Sequence, residues 1–300
     1  MSDPAITIVV PGYDVAEYAA DALDSLRGQT RGDWTAVLVD DGSTDGTAAI
    51  FRAAADADPR FRVVTHTHQR GLGAARNAGL DLVDTPFLGF LDADDVLTPA
   101  ALETLLDTLD ASGSDFAAGA YVRLRPDDEG RYRPGAVQSW VAAATDPARA
   151  GTTLEAHPAA SGNIVAWSKV SRTDFWHRTG LRFPEGRLYE DQVVAQLMYT
   201  RARAFDVVPE VVVHWRQRAD GSSITQRTAR LDVLTDYLEA LRAGIGILDA
   251  AGHTAAVAER VRLVRAMDLP PLREIARSHP DDAYRQAVED FERGLAALSR

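Results

Sequence analysis

Short β-rich runs alternate with helical stretches through the first hundred residues, and no other feature restricts the fold of this chain so tightly. Ile6-Thr7-Ile8-Val9-Val10, Trp34 to Val39, Phe61 to Thr65 and Phe87 to Leu91 are each apolar and rich in β-branched or aromatic residues. After the first run, apolar or small residues recur at helical spacing at Tyr18, Ala19, Ala22, Leu23 and Leu26. Thr44 and Asp45 offer caps for a helix through about Ala57, and another helix is predicted from about Gly73 to Leu82. Strands alternating with helices of roughly 10–15 residues imply βαβ units. The expected fold class is α/β: a Rossmann-like, mostly parallel sheet flanked by helices, followed by a C-terminal helical segment.

The middle third is less regular. Asp115 to Leu124 reads as a strand, and Arg125 to Gly135, with its prolines, aspartates and Gly130, as a surface loop. Residues 139–163 are rich in Ala, Gly, Thr and Pro and read as a mobile stretch. Asn163 to Val170 and Val207 to Arg216 read as strands around a helix at about Asp191 to Ala202. From Leu231 the pattern is helical: Leu231 to Leu248, Thr254 to Met267 and, beyond a break expected at Pro270-Pro271, about Pro280 to Leu298. Leu231, Leu234, Leu238 and Leu241 form a stripe that predicts packing on the rest of the chain or on a second copy.

Composition excludes several classes. A formal net charge of −12 argues against a nucleic-acid surface and against attraction to anionic lipid. No apolar stretch reaches the roughly 18 residues that a membrane span needs. Met1-Ser2-Asp3-Pro4 lacks the basic-then-apolar order of a signal peptide. With no cysteine, any metal must sit on Asp, Glu or His.

Four polar or glycine-rich motifs fall at successive strand ends: Val10-Pro11-Gly12-Tyr13, Val39 to Asp45 (Val-Asp-Asp-Gly-Ser-Thr-Asp), Gly71 to Gly79 (Gly-Leu-Gly-Ala-Ala-Arg-Asn-Ala-Gly), and Leu91-Asp92-Ala93-Asp94-Asp95. In a parallel sheet those ends share the edge where open α/β folds bind ligands. Residues two apart on an extended segment project to one side, so Asp92 and Asp94 are expected to point together past the strand end. Two hard oxygen donors suit Mg²⁺ or Mn²⁺ held against a diphosphate. The same carboxylates also suit an acidic turn capping the helix that starts near Thr98-Pro99.

Taken in order, these motifs resemble those of the inverting nucleotide-sugar glycosyltransferases with the GT-A fold, in the large family numbered two. The resemblance covers about residues 5–110 closely and 160–227 more loosely. One departure is Asp14, where the family's Pro-x-Tyr-Asn pattern has Asn. The resemblance implies a nucleotide-sugar-binding half over residues 1–115. Residues 116–228 become the acceptor-side and catalytic-base half of the same domain, and 229–300 a C-terminal helical region.

The resemblance also implies roles. Asp41 accepts the imide N–H of uracil near Pro11 and Tyr13, Arg76 lines the nucleotide pocket, and Gly71 and Gly73 let the backbone approach the ligand. Asp92 and Asp94 hold the metal on the donor. Gly186-Arg187-Leu188-Tyr189-Glu190-Asp191-Gln192 resembles the segment that opens a helix below the sugar, making Asp191 the general base, with Glu190 orienting the site or an acceptor hydroxyl. His214-Trp215-Arg216-Gln217-Arg218 and Gly221-Ser222-Ser223-Ile224-Thr225 resemble the late strand and loop. There Arg216, Arg218, Ser222 and Ser223 meet the diphosphate, and His214 is a further metal ligand or a phosphate contact. Lys169, the only lysine, matches a family lysine near the acceptor side.

The implied enzyme is metal-dependent. It moves a sugar from a nucleotide diphosphate donor, expected to be a UDP-sugar, to a hydroxyl of a glycan, a polyol-phosphate polymer or a lipid-linked acceptor. It would work in the cytoplasm or at the inner face of the membrane, with its C-terminal helices open to homo-oligomer formation. Two other classes share parts of the pattern. A nucleotidyltransferase normally carries a basic Gly-rich loop after the first strand, whereas Pro11-Gly12-Tyr13-Asp14 has no lysine or arginine. A non-catalytic sugar-nucleotide or glycan-binding module has no need of Asp92, Asp94 and Asp191 together.

Overall fold

The first strands are apolar on both faces because both faces are covered. The computed structural model describes residues 3–219 and 227–297; Ser222 and Ser223 lie outside them. β1 (Ile6–Gly12), α1 (Ala16–Arg27), β2 (Trp34–Asp40), α2 (Thr47–Ala57), β3 (Phe61–Thr65), α3 (Leu72–Leu80) and β4 (Phe87–Phe90) follow the expected alternation. Then come β5 (Val96–Leu97), α4 (Ala101–Ser112), β6 (Phe116–Pro126), β7 (Tyr132–Pro134), α5 (Ser139–Thr145), β8 (Arg149–Thr152), β9 (Lys169–Arg172), α6 (Thr173–Thr179), α7 (Asp191–Arg201) and β10 (Phe205–Arg216). α8 (Leu231–Ala250), α9 (Thr254–Leu263), α10 (Leu269–Ser278) and α11 (Asp282–Ala297) complete the described chain.

The strands form one sheet in the order β3-β2-β1-β4-β9-β6-β10-β5, with β7 added to β6 and β8 to β10. β1 pairs in parallel with β2 on one side and β4 on the other, and β6 in parallel with β10. β9 runs antiparallel between β4 and β6, so the carboxyl ends of β1, β2, β4, β6 and β10 share one edge. Strand order reverses at β1, which opens a crevice between the ends of β1 and β4. Alternate residues feed two cores. Ile6, Ile8 and Val10 meet Leu23, Phe51 and Leu102 from α1, α2 and α4 on one face. Val9, Val37 and Val39 meet Leu80, Val194 and Leu234 from α3, α7 and α8 on the other.

The stripe on α8 is buried within the chain. Leu234, Leu238 and Leu241 are almost inaccessible, and α8 packs on α7 so closely that a Cβ on Gly244 would lie 3.2 Å from the Gln192 carbonyl oxygen. Arg260 of α9 adds a buried hydrogen bond, Nη2 donating to Gln192 Oε1 at 2.8 Å. Among the described residues no helix is long and apolar enough to cross a membrane.

Several local expectations are corrected. Arg125 to Gly135 is a hairpin, with Leu124 opposite Pro134 and Arg125 opposite Arg133; β7 is an edge strand, where proline is tolerated. Residues 139–163 hold α5, β8 and a 3₁₀ turn at Pro158–Gly162 in place of a mobile stretch. Asn163 to Val170 is extended only from Lys169, because the Asn163 and Val165 carbonyls turn inward to the Lys169 ammonium instead of joining the ladder. Pro270-Pro271 breaks nothing. Both lie in the first turn of α10, and the helical run continues through them because a π-helical segment at Val264–Asp268 carries α9 into α10.

Candidate active site

Arg76 is the hub of the polar edge. It sits on α3, is wholly buried, and has its guanidinium 5.1 Å from the Phe183 ring. Nη2 donates to Asp92 Oδ1 at 2.7 Å, at the end of β4. Nη1 donates to Glu190 Oε1 at 2.6 Å and to Asp191 Oδ1, at the start of α7. Arg76 was expected to line a nucleotide pocket. Instead its terminal nitrogens are occupied by protein carboxylates, and it joins the two halves of the site.

Three carboxylates on one guanidinium leave excess negative charge in a buried place. Burial pushes Glu190 up to about 8 although Arg76 pulls the other way. Asp191 is also raised, by burial and then by Asp92, against the pull of Arg76. Its side chain is 15% exposed against 3% for Glu190, so Asp191 is the open member of the pair. Its Oδ2 accepts the Ala166 N–H at 3.2 Å. Tyr189, just before the pair, has φ +60° and its ring meets that of Tyr237 of α8 in a tilted contact with centroids 4.5 Å apart, so the C-terminal helices brace the entry into α7.

Asp92 to Asp95 forms a turn, not the extended segment expected: the Asp95 N–H donates to Asp92 O at 2.9 Å. The Ala93 N–H donates to Pro11 O at 3.1 Å and ties the turn to β1. The turn sends Asp92 to Arg76 and Asp94 to Arg218, whose Nε and Nη2 both meet Asp94 Oδ2 at 2.8 Å. Asp94 is raised by burial, opposed by Arg218; Asp95 is raised further by burial, Asp94 and Asp92. Arg216, expected on a diphosphate, is instead a brace. Its guanidinium lies 4.4 Å from the Tyr132 ring and donates to Asp94 O and Asp21 Oδ2 at 2.8 Å each. Its N–H donates to Asp95 Oδ1 at 2.7 Å, and only 4% of its side chain is accessible.

The donor set fits a divalent cation shared with a diphosphate. Asp92 Oδ1 and Asp94 Oδ2 are engaged by arginines, while Asp92 Oδ2 and Asp94 Oδ1 accept no hydrogen bond among the described residues. Mg²⁺ and Mn²⁺ commonly take one or two carboxylates with substrate phosphates supplying the rest. His214 does not join them: no three His, Asp or Glu side chains gather into a metal-ligating group among the described residues. It lines a cavity of about 790 Å³ with Asp21, Asp24, Tyr132 and Arg216, and burial lowers its pKa, favouring the neutral ring.

Asp41 also departs from expectation. Its carboxylate accepts the Arg70 N–H at 3.0 Å and the Gly71 N–H at 2.8 Å, and meets His66 Nδ1 at 2.6 Å; the side chain is 4% exposed. It fixes the approach to α3. Asp40 accepts the Ser43 N–H at 3.1 Å, a local side-chain-to-backbone bond within the turn. Pro11 is buried in β1 and Tyr13 stands half-buried beyond it. Asp14 has φ +48°, a conformation Asn and Asp tolerate, and its carboxylate accepts the Thr44 N–H at 2.8 Å. That shared tolerance explains why aspartate can replace the family's asparagine.

Two residues of the glycine-rich motif act on the protein itself. A Cβ on Gly73 would fall 2.0 Å from the Pro184 carbonyl oxygen, so the close approach it permits is to the loop before α7 rather than to a ligand. Asn77 clamps that loop: Nδ2 donates to Phe183 O at 2.9 Å, and the Phe183 N–H returns to Asn77 Oδ1 at 3.0 Å. Gly73→Ala is expected to cost about 1–3 kcal/mol through overpacking. Urea denaturation measures it, and an unchanged midpoint would contradict the contact.

Asn77 and the Ala166 N–H escaped sequence reasoning. Asn77 stands beside Arg76 in the motif, but nothing in the sequence names its partner 106 residues away. Lys169 is buried, and its Nζ donates to Asn163 O at 2.8 Å, Asn163 Oδ1 at 3.1 Å and Val165 O at 2.6 Å. Burial pushes its pKa down to about 7, with Asp191 pulling the other way. It thereby organises the loop whose Ala166 N–H holds Asp191.

Fold and site together define a GT-A protein with a buried arginine–carboxylate hub at its sheet edge. The chain belongs to glycosyl transferase family 2, whose model matches residues 7–192. It is 30% identical over 230 residues to EpsH of Bacillus subtilis (strain 168), covering 76% of this chain and 64% of that protein. It is 26% identical over 289 residues to the glycosyltransferase GlyA of Streptococcus pneumoniae serotype 4, covering 96% of this chain and 38% of GlyA. The chain thus spans less than two thirds of the length of these relatives. The crystal structure of S. aureus TarS residues 1–349 with UDP-GlcNAc is similar, with a TM-score of 0.70 and 19% identity over 97% of this chain and 90% of that one. The mannosyltransferase PcManGT from Pyrobaculum calidifontis, in complex with GDP-Man and Mn²⁺, gives 0.57 and 18% over 96% and 87%. At such identities the likeness establishes the fold alone.

Proposed function

We propose that the protein transfers a sugar from a UDP-sugar to an acceptor hydroxyl, with inversion at the anomeric carbon and with a divalent cation on the donor diphosphate. The observation that supports this reading is that Arg76 binds Asp92 and Asp191 at once, so the two carboxylates to which we give the donor-side and base roles share one guanidinium. The UDP-GlcNAc held by TarS and the GDP-Man and Mn²⁺ held by PcManGT support the donor class and the cation.

Asp92 and Asp94 would hold the cation, which stabilises the diphosphate as it leaves. Arg218, paired with Asp94, brings a guanidinium to the same place. Asp191 takes the proton of the acceptor hydroxyl as its oxygen bonds to the anomeric carbon and the bond to the diphosphate breaks. Arg76 and the Ala166 N–H fix the carboxylate while it does so. A raised pKa makes the ionised Asp191 a stronger base than an ordinary aspartate.

Asp94→Asn is expected to remove most of the gain in UDP affinity that Mn²⁺ gives, as read by calorimetry with and without the metal. Equal enhancement in both proteins would remove Asp94 from the cation site. Incubation with a donor panel tests the reaction class: released UDP supports glycosyl transfer, whereas pyrophosphate would point to nucleotidyl transfer.

A further inference from the structure

In a protein of net charge −12, three arginines converge on one small cavity outside the hub. Arg123 and Arg125 from the end of β6 and Arg133 from β7 line it, with Asp127 and Gln138, and it encloses about 280 Å³. Arg133 Nε donates to Asp127 Oδ2 at 3.3 Å and Arg125 Nε to Gln217 Oε1 at 3.1 Å. With one lining carboxylate against three guanidiniums, positive charge is in excess. Two buried atoms in the lining have no hydrogen-bond partner among the described residues: Arg123 Nε, a donor, and Gln138 Oε1, an acceptor. Buried polar atoms are normally satisfied, so this pair points to a ligand with both anionic oxygens and hydroxyls.

The position fits an acceptor. The carboxyl end of β6 faces the same edge as those of β1 and β4. A chain of contacts leads back to the base: Arg123 lies 5.2 Å from the Trp215 ring, Trp215 lies 6.3 Å from Trp167, and Trp167 follows Ala166, whose N–H holds Asp191. We propose that this cavity is an anion subsite for the acceptor, taking a phosphodiester or carboxylate group carried by a hydroxyl-rich chain. The proposal rests on the glycosyl-transfer reading and narrows its acceptor to an anionic one.

The test uses the full chain with UDP and Mn²⁺. Calorimetry compares a glycerol-phosphate oligomer, a uronate-containing oligosaccharide and a neutral oligosaccharide of similar length. One anionic oligomer is expected to bind and the neutral one not to, and the responding oligomer identifies phosphodiester or carboxylate as the group. Arg125→Gln/Arg133→Gln, both at exposed positions, is expected to weaken that binding by at least about tenfold with UDP affinity unchanged. Arg123→Gln is expected to act in the same direction. Equal affinity in wild type and double variant, or UDP binding with no response to either anionic oligomer, would overturn the subsite. Wild type failing to bind any nucleotide donor would instead remove the transferase reading, and the subsite with it.

Discussion

Asp191→Asn is expected to bind UDP nearly as the unaltered protein does and to lose transfer by about 10²–10⁴-fold or more, the usual worth of a general base. The amide keeps the size of the carboxylate but cannot take the acceptor's proton. It also meets a structural problem. Asp191 accepts hydrogen bonds on both oxygens, from Arg76 and from the Ala166 N–H, and an amide NH₂ must face one of those donors. Some loss of stability is therefore expected, and melting temperature and single-turnover transfer must be measured on the same preparation. The rate of the unaltered protein should rise with pH as the raised Asp191 carboxyl ionises. Near-normal transfer by a well-folded variant would move the base elsewhere, with Glu190 the next candidate.

Arg76→Met is expected to be the most damaging single change to the fold. It leaves Asp92, Glu190 and Asp191 without their shared counter-charge. Breaking a buried ion pair from one side typically costs about 3–5 kcal/mol. Arg76→Lys should rescue little, since an ammonium lacks the planar fork that reaches three carboxylates. The deficit should also depend on pH. Without Arg76 the Glu190 and Asp191 carboxyls, already raised, are raised further above their unfolded values, so the folded state binds more protons. Stability is then regained as pH falls from about 8 towards about 5. Urea midpoints at both pH values test this; a loss under about 1 kcal/mol would show that the carboxylates shed charge without help.

The fold was legible where a strand ran straight into a polar turn. The apolar runs at Ile6, Trp34, Phe61 and Phe87 gave β1 to β4, with both faces buried in β1, β2 and β4 and β3 at the edge of the sheet, and the order of their end motifs gave the shared edge of strand ends. The site was legible as a set of residues but not as a set of contacts. Arg76, Asp92 and Asp191 were all named, yet spacing along a chain carries no information about a guanidinium reaching 115 residues ahead. For the same reason Asp41 looked available and Arg216 looked like a phosphate contact: their partners are backbone amides, a carbonyl and aromatic rings that local pattern does not mark. The hairpin of β6 and β7 was hidden by its prolines, which signal a loop unless the strand is known to lie at an edge.

Lys169 has a use beyond its place under the base. As the sole lysine of 300 residues, it makes a protein grown on ¹³C-ε-lysine a one-probe sample, needing no resonance assignment. The chemical shift of that carbon follows the charge of the amine, and its linewidth the motion of the loop from Asn163 to Ala166 that the amine secures. One spectroscopic signal therefore reports on the seating of Asp191 as nucleotide, cation and acceptor are added in turn, with no turnover required.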